Sequence, residues 1–322
     1  MHVQAQTKGI DEEKEDRFGV VVNGKYGFID HTGVIVIKPQ FEDAYWFSEG
    51  LASVKVGDKY GYIDKSGKMV IQPQFIGTEM FHEGLARVDI VGLPNWKYGF
   101  IDREGHYVIE PQFEYAGFFH EGLARVRVDG KSGYIDKQGQ LVIEPKFGEV
   151  GDFSEGLAFV KVGNKWGYLD KTGSIVIQPQ FDFAEDFSEG MACVLLDGKY
   201  GYIDKDGSVI IEPQFDLAGP FDDGLAMIQL EDKYGFIDKN GVIVIEPQFN
   251  STIGFSEGLA PVQVGKKWGY IDKEGNFVIR PQYYQAPSFS EGLANVVVEE
   301  RDIYFDVYID RQGKRLWSKE IK

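Results

Sequence analysis

The chain has 322 residues, 43% of them hydrophobic and 26% charged, with a formal net charge of −17 and a pI near 4.8. That is enough apolar material for a packed core, and it is not the composition of a disordered chain. The negative field repels phosphate backbones and anionic lipid, which argues against nucleic acid as a partner, and no run of 18 apolar residues supports a membrane span.

Residues 1–16 read as a polar N-terminal tail without the apolar stretch of a signal peptide. The compartment stays open: periplasm or cell surface if a leader has been trimmed, cytoplasm otherwise. From residue 17 the chain repeats itself. The glycine of "K-Y/W-G" falls at Gly27, Gly61, Gly99, Gly133, Gly167, Gly201, Gly235 and Gly269, with spacings of 34, 38, 34, 34, 34, 34 and 34. A further 38 residues reach Val307 in "FDVYIDRQG", a ninth and degraded copy. The proline of "V-I-x-P" keeps the same register from Pro39 to Pro281. Units start near residues 17, 51, 85, 123, 157, 191, 225, 259 and 293. Length alone suggests two domains, but this periodicity makes residues 17–322 a single array.

A full unit is "LAFVKVGNKWGYLDKTGSIVIQPQFDFAEDFSEG", residues 157–190. Gly163, Gly167 and Gly173 break any helix, which excludes the helical hairpins that share a period of about 34 residues. The β-branched and aromatic residues between them predict three antiparallel strands, "LAFVKV", "WGYLD" and "SIVIQP". "V-G-N-K-W" suits a tight hairpin. "L-D-K-T-G-S" suits a type I turn, with Asp170 bonding the turn backbone and Gly173 in the left-handed region. Pro179, which has no N–H to donate, is expected to end the third strand. The segment "QFDFAEDFSEG" returns the chain as either a helical turn or a short fourth strand.

The pattern resembles the bacterial WG-repeat family. The resemblance rests on Lys165, Trp166, Gly167, Tyr168, Leu169, Asp170 and Gly173, followed by "VIQPQFD" and "FSEGLA", and it extends over residues 17 to 313. Tryptophan stands in the named position at Trp166 and Trp268. Tyrosine replaces it at Tyr26, Tyr60, Tyr98, Tyr200 and Tyr234, and Ser132 departs from the pattern. The resemblance implies a tandem all-β array and no defined activity.

A meander of this size cannot cover both of its apolar faces, so each unit needs neighbours. The expected fold is therefore all-β: nine three-stranded units of about 34 residues in an open, curved or superhelical stack. A closed β-propeller is the alternative. Three features favour the open form. The unit is shorter than a WD40-type blade, no strand is left over for exchange between the ends, and the polar last unit reads as a cap.

No catalytic constellation stands out. His2, His31, His82, His106 and His120 are scattered, and the neighbours His82–Glu83 and His120–Glu121 diverge on extended chain. Cys193, the one cysteine, lies between Ala192 and Val194 and reads as a small buried hydrophobe. All nine units keep an aspartate: Asp30, Asp64, Asp102, Asp136, Asp170, Asp204, Asp238, Asp272 and Asp310. Calcium would need further carboxylates at that spacing, so turn capping is the expected role. The glutamates of "S-E-G", Glu49, Glu155, Glu189, Glu257 and Glu291, are read as caps of the return segment. No catalytic, cofactor or metal residues are assigned.

Positions that vary between units are free for recognition. Along the first predicted strand these are Ser53, Arg87, Arg125, Phe159, Cys193, Met227, Pro261 and Asn295. In the return segment they include Tyr45, Trp46, Tyr115, Phe118, Phe183 and Tyr284. Aromatics and arginine are enriched at interface hot spots, so Tyr45, Trp46, Tyr115, Phe118, Phe183, Tyr284, Arg87 and Arg125 are candidate partner contacts. Filling gaps between neighbouring units is the competing role. The insertion "DIVGLPNWKYG" adds Leu93, Pro94 and Trp96 on a tip, and of these Trp96 joins the candidates. The expected function is a non-catalytic binding or scaffolding surface for a protein or carbohydrate partner, on a monomer. A structural spacer or envelope stalk comes second, and an enzyme with its site in a groove or ring centre comes last.

Overall fold

The computed structural model describes residues 17–90 and 96–321; the polar tail, Leu93 and Pro94 lie outside the described residues. Those residues form strands in nine antiparallel sheets, with no helix among them. The three strands expected in each unit are present, for instance Leu157–Val162, Lys165–Asp170 and Ile175–Phe181. The return segment supplies a fourth. Gly77–His82 pairs with Leu85–Ile90, and Asp43–Ala44 pairs with Leu51–Val56. Each return segment thus begins the sheet of the following unit, and the structural repeat is offset by one strand from the sequence unit. Numbered along the chain, the sheets cover residues 18–41, 43–75, 77–113, 115–147, 149–181, 183–215, 217–249, 251–283 and 285–321.

The sheets are the blades of a closed ring, which overturns the open stack expected above. Each of nine buried apolar clusters is built from two consecutive sheets. Phe28, Ile37 and Phe41 of blade 1 meet Phe47, Ala52, Val54 and Ile63 of blade 2. The pattern continues through blades 8 and 9. The ninth cluster joins Leu293 and Tyr308 of blade 9 to Val20 and Ile29 of blade 1. An open row of nine sheets has eight interfaces; nine interfaces require closure. The last unit is therefore not a cap. Its extra residues lengthen the second and third strands to Leu293–Glu300 and Ile303–Asp310, one continuous ladder. The Tyr308 hydroxyl donates to Gly19 O at 2.9 Å, and the Phe18 and Tyr308 rings lie 5.8 Å apart. The closing contact is an apolar cluster between consecutive sheets, as the other eight are, and among the described residues blade 1 enters it as a three-stranded sheet.

In blades 2 to 9 the first strand, reduced to a single bridge in blades 5 and 9, is the inner one, while the described part of blade 1 begins at its second strand. First strands of neighbouring blades approach one another, as Gly77–His82 does Tyr115–His120, so they converge on the axis. The last strand is the outer edge. Proline does not end it: the strand runs Ile175–Phe181 straight through Pro179. Trp166 pairs with Phe181 and Tyr168 with Ile177, so the single residue Gly167 faces three residues of a bulge centred on Pro179. A Cβ on Gly167 would lie 2.3 Å from Ile177 O and 2.7 Å from Pro179 N. The glycine of the "W-G" pair is there to let two backbones pass, and proline sits where the bulge needs no ladder N–H.

Candidate functional site

Two turns at one end of the ring carry the repeated polar residues. The antiparallel order places the inner-to-second turn and the third-to-outer turn together there. The second-to-third hairpins and the blade connections lie at the other end. In every third-to-outer turn Oδ1 of the aspartate accepts backbone N–H groups two and four residues on, as Asp170 does from Thr172 and Ser174. The same pair of bonds is made by Asp30, Asp64, Asp102, Asp136, Asp204, Asp238, Asp272 and Asp310. These bonds hold the carboxyls of Asp30, Asp64 and Asp170 below the usual range, with the Thr32, Ser66 and Thr172 hydroxyls the largest cause.

The "S-E-G" glutamate does not cap its own segment. It occupies the first place of a two-residue turn with positive φ, 53° at Glu155 followed by 89° at Gly156. A non-glycine residue there is strained, and the strain aims its carboxylate at the next blade. Glu155 accepts the Gly190 N–H at 3.0 Å and pairs with Lys205 Nζ at 2.9 Å, both from blade 6. Glu49, Glu83, Glu121, Glu189 and Asp223 repeat this grip on the glycine and cation of the following blade. Glu257 accepts from Gly292, and its carbonyl accepts from Arg311. Two further ties cross the same interfaces. The serine before the glutamate donates to a phenylalanine carbonyl, as Ser154 does to Phe187 O at 2.7 Å. The tyrosine two residues after Trp166 donates inward, Tyr168 to Glu185 O at 2.8 Å. The sequence signal for these contacts was a fixed residue at a fixed register, without a hint of which blade it served.

The varying residues lie nearer the axis. A bulge in the inner strand sets two residues against one of the second strand, shown by the register shift between Ala116 and Phe119 opposite Val126 and Ala124. Arg125, the residue opposite that bulge, reaches the inner strand of the next blade. It donates to Val150 O at 2.9 Å and lies 3.3 Å from Asp152 Oδ1, with its guanidinium 5.2 Å from the Tyr115 ring. Arg87 behaves alike: it donates to Ala116 O at 2.6 Å, pairs with Glu79 at 2.8 Å, and lies within 6 Å of Tyr98, Tyr115 and Phe118. The structure thus brings Arg87, Arg125, Tyr115 and Phe118 into one cation–aromatic row across blades 3 and 4. Other members of that column are absorbed between blades. Ser53 bonds the Thr78 hydroxyl, and the Cys193 thiol, raised by burial, faces Ala218 O at 3.6 Å.

Tyr45 and Trp96 join Tyr60, Tyr98 and Asp89 around a cleft of about 290 Å³ between blades 2 and 3. Burial pushes the Asp89 carboxyl up, with the Arg87 charge opposing it. Phe183 belongs to a second cleft, of about 560 Å³, with Phe159, Trp166, Glu185 and Asp186. Tyr284 stands apart, 5.0 Å from Tyr304, and Trp46 points outward with 70% of its surface exposed. Among the described residues no cluster of histidine, cysteine or carboxylates is arranged to hold a metal, and no helix is long and apolar enough to cross a membrane.

A family model described as WG containing repeat matches eight times, at residues 26–60, 60–90, 98–131, 133–166, 166–200, 200–234, 234–268 and 268–301. No curated protein matches the sequence. A solved structure titled as that of the eukaryotic initiation factor is similar over 95% of both chains, with a TM-score of 0.68 at 14% identity. The dihydro-heme d1 dehydrogenase NirN covers 96% of this chain and 74% of its own, with a TM-score of 0.47 at 13% identity. At that identity the first likeness speaks to the fold alone.

Proposed function

The chain belongs to the WG-containing repeat family, and on that premise we propose that it is a non-catalytic platform that binds another macromolecule, a protein in the first instance, through the residues that do not repeat. The observation that carries this is a division of labour. The repeated aspartates, glutamates, serines and tyrosines are consumed in turns and blade-to-blade ties. The varying aromatics and charges line clefts toward the axis or stand exposed. Such a frame presents unlike side chains on rigid elements, which keeps the ordering cost of recognition low. The first cleft holds Glu79 and Asp89 with Arg87, and the second holds Glu185 and Asp186, with the Ser154 and Ser188 hydroxyls donating to the Phe187 and Phe221 carbonyls. With no serine or threonine hydroxyl set against a base there, recognition fits these groups better than turnover.

The test is capture by the intact chain on a protein pull-down and on a glycan array, repeated with Tyr45, Trp46, Phe183 and Tyr284 all changed to serine. A partner held by the native chain and released by the folded variant supports the reading. A glycan so held replaces the protein class with a carbohydrate one. Capture unchanged by the substitutions points to a spacer, and silence on both formats overturns the proposal.

A further inference from the structure

The chain's own repetition shows what the cleft between blades 5 and 6 lacks. At the preceding interface, between blades 4 and 5, Arg125 extends from the second strand of blade 4 to Asp152 on the inner strand of blade 5, with Nε 3.3 Å from Oδ1. Thirty-four residues later the aspartate recurs as Asp186, but the arginine has become Phe159. Glu185 stands beside Asp186 and adds a second carboxylate. Neither side chain has an ion pair or hydrogen bond among the described residues; Glu185 is half-buried and Asp186 is exposed to solvent on one side, and partial desolvation in the cleft holds both carboxyls above their usual range. The groups around them are Asp152, Arg125 and His120, whose arginine is already engaged by Asp152. The walls are aromatic. Phe159 and Trp166 are 5.3 Å apart and Trp166 and Phe183 6.2 Å, both edge to face. Lys161 Nζ lies 5.0 Å from the Trp166 ring centre, so that ring already accepts an ammonium on one side. Where a guanidinium completes the previous interface there is here an open volume of about 560 Å³.

We propose that this cleft receives an arginine or lysine side chain from a basic protein partner, which stands where Arg125 stands one interface earlier. Two unpaired carboxylates supply the charge and the aromatic edges and faces supply the walls, the combination that selects a cation over a neutral isostere. This rests on the platform reading and names the chemistry of one of its sites.

The experiment titrates the full chain with N-acetyl-arginine amide, and with N-acetyl-citrulline amide as the neutral isostere, followed by chemical shifts. The arginine probe is expected to saturate with a dissociation constant on the order of 1 mM, and the citrulline probe to bind at least about tenfold more weakly. Glu185→Gln with Asp186→Asn should lose about tenfold or more in arginine affinity. Phe159→Arg should fill the cleft from within, abolish probe binding and leave the ring folded. Equal binding of the two probes, unchanged affinity in the amide variant, or no saturation by arginine overturns the proposal. If arginine fails while the native chain still captures a macromolecule, the cleft assignment falls and the platform stands; if arginine binds and capture is absent, the reverse holds.

Discussion

Gly167 shows how much one missing methyl group settles. A Cβ there would strike the carbonyl of Ile177 and the nitrogen of Pro179, both backbone atoms of the outer strand. Because backbone cannot swing aside, we expect Gly167→Ala to cost about 3 kcal/mol in chemical denaturation, whereas the same change at an unstrained site stabilises by about 0.4–1 kcal/mol. A loss below that would show that the bulge can shift. The acidic pair in the blade 5–6 cleft gives a second expectation. Partial desolvation raises both carboxyls, with Glu185 half-buried and Asp186 the more exposed of the two, so the folded chain holds their protons more tightly than the unfolded one, chiefly at Glu185. Their contribution is complete at low pH and is lost as pH rises from the ordinary carboxylate range through the raised values. The Gln/Asn double variant should therefore melt higher than the native chain near pH 7 and equally near pH 3; a gap of the same size at both would exclude titration as its cause. His82 works in the opposite sense. Burial first, then His120, lowers its pKa, so its contribution is full at neutral pH and falls as pH drops below the usual histidine value. Composition announced residues of this kind without their meaning. Asp170 was readable as a turn cap because its bonds are local, whereas Glu155 was not, because its partners Gly190 and Lys205 are a blade away.

At the scale of the strand, the three long strands of each unit were legible from their β-branched runs and the glycines between them. The inner strand was not. It is as short as Phe183–Ala184, and the bulge that follows interrupts the alternation by which strands are recognised. The outer strand was read too short, since a proline inside a strand is admissible only at an edge or bulge and the edge was unknown. Its exposed Val176 and its counterparts Val36, Val70 and Val142 form apolar edges around the ring. Pro179 and the bulge around it spoil each edge as a template for a further strand. We therefore expect Pro179→Val to leave melting within about 1 kcal/mol of the native chain while light scattering detects association on heating. An unchanged monomer after heating would remove that role from the proline.

For the whole molecule the ring was the harder inference. A search for an exchanged strand or a terminal cap looks for a special device, whereas the seam is one more apolar contact between neighbouring sheets. A Cβ on Gly33 would meet the Leu316 backbone across the seam, and one on Gly67 would meet the Ile37 side chain between ordinary neighbours, so the same turn faces the preceding blade's outer strand in both places. Closure is a property of the angle between blades, which no single unit encodes. Solution scattering should accordingly show a compact particle with a central minimum in its density; an extended profile would contradict the ring. Removing residues 157–190 deletes a blade's worth of chain, and we expect the shortened protein to unfold at a lower denaturant midpoint unless eight blades can close in its place. The seam has a further consequence. Since blade 9 packs on blade 1 as any blade packs on its neighbour, the order in which the polypeptide visits the blades is separable from the shape they make. A circular permutant opened at the connection between blades 6 and 7, with the native ends joined by a flexible linker, should keep every buried face and refold to the same ring.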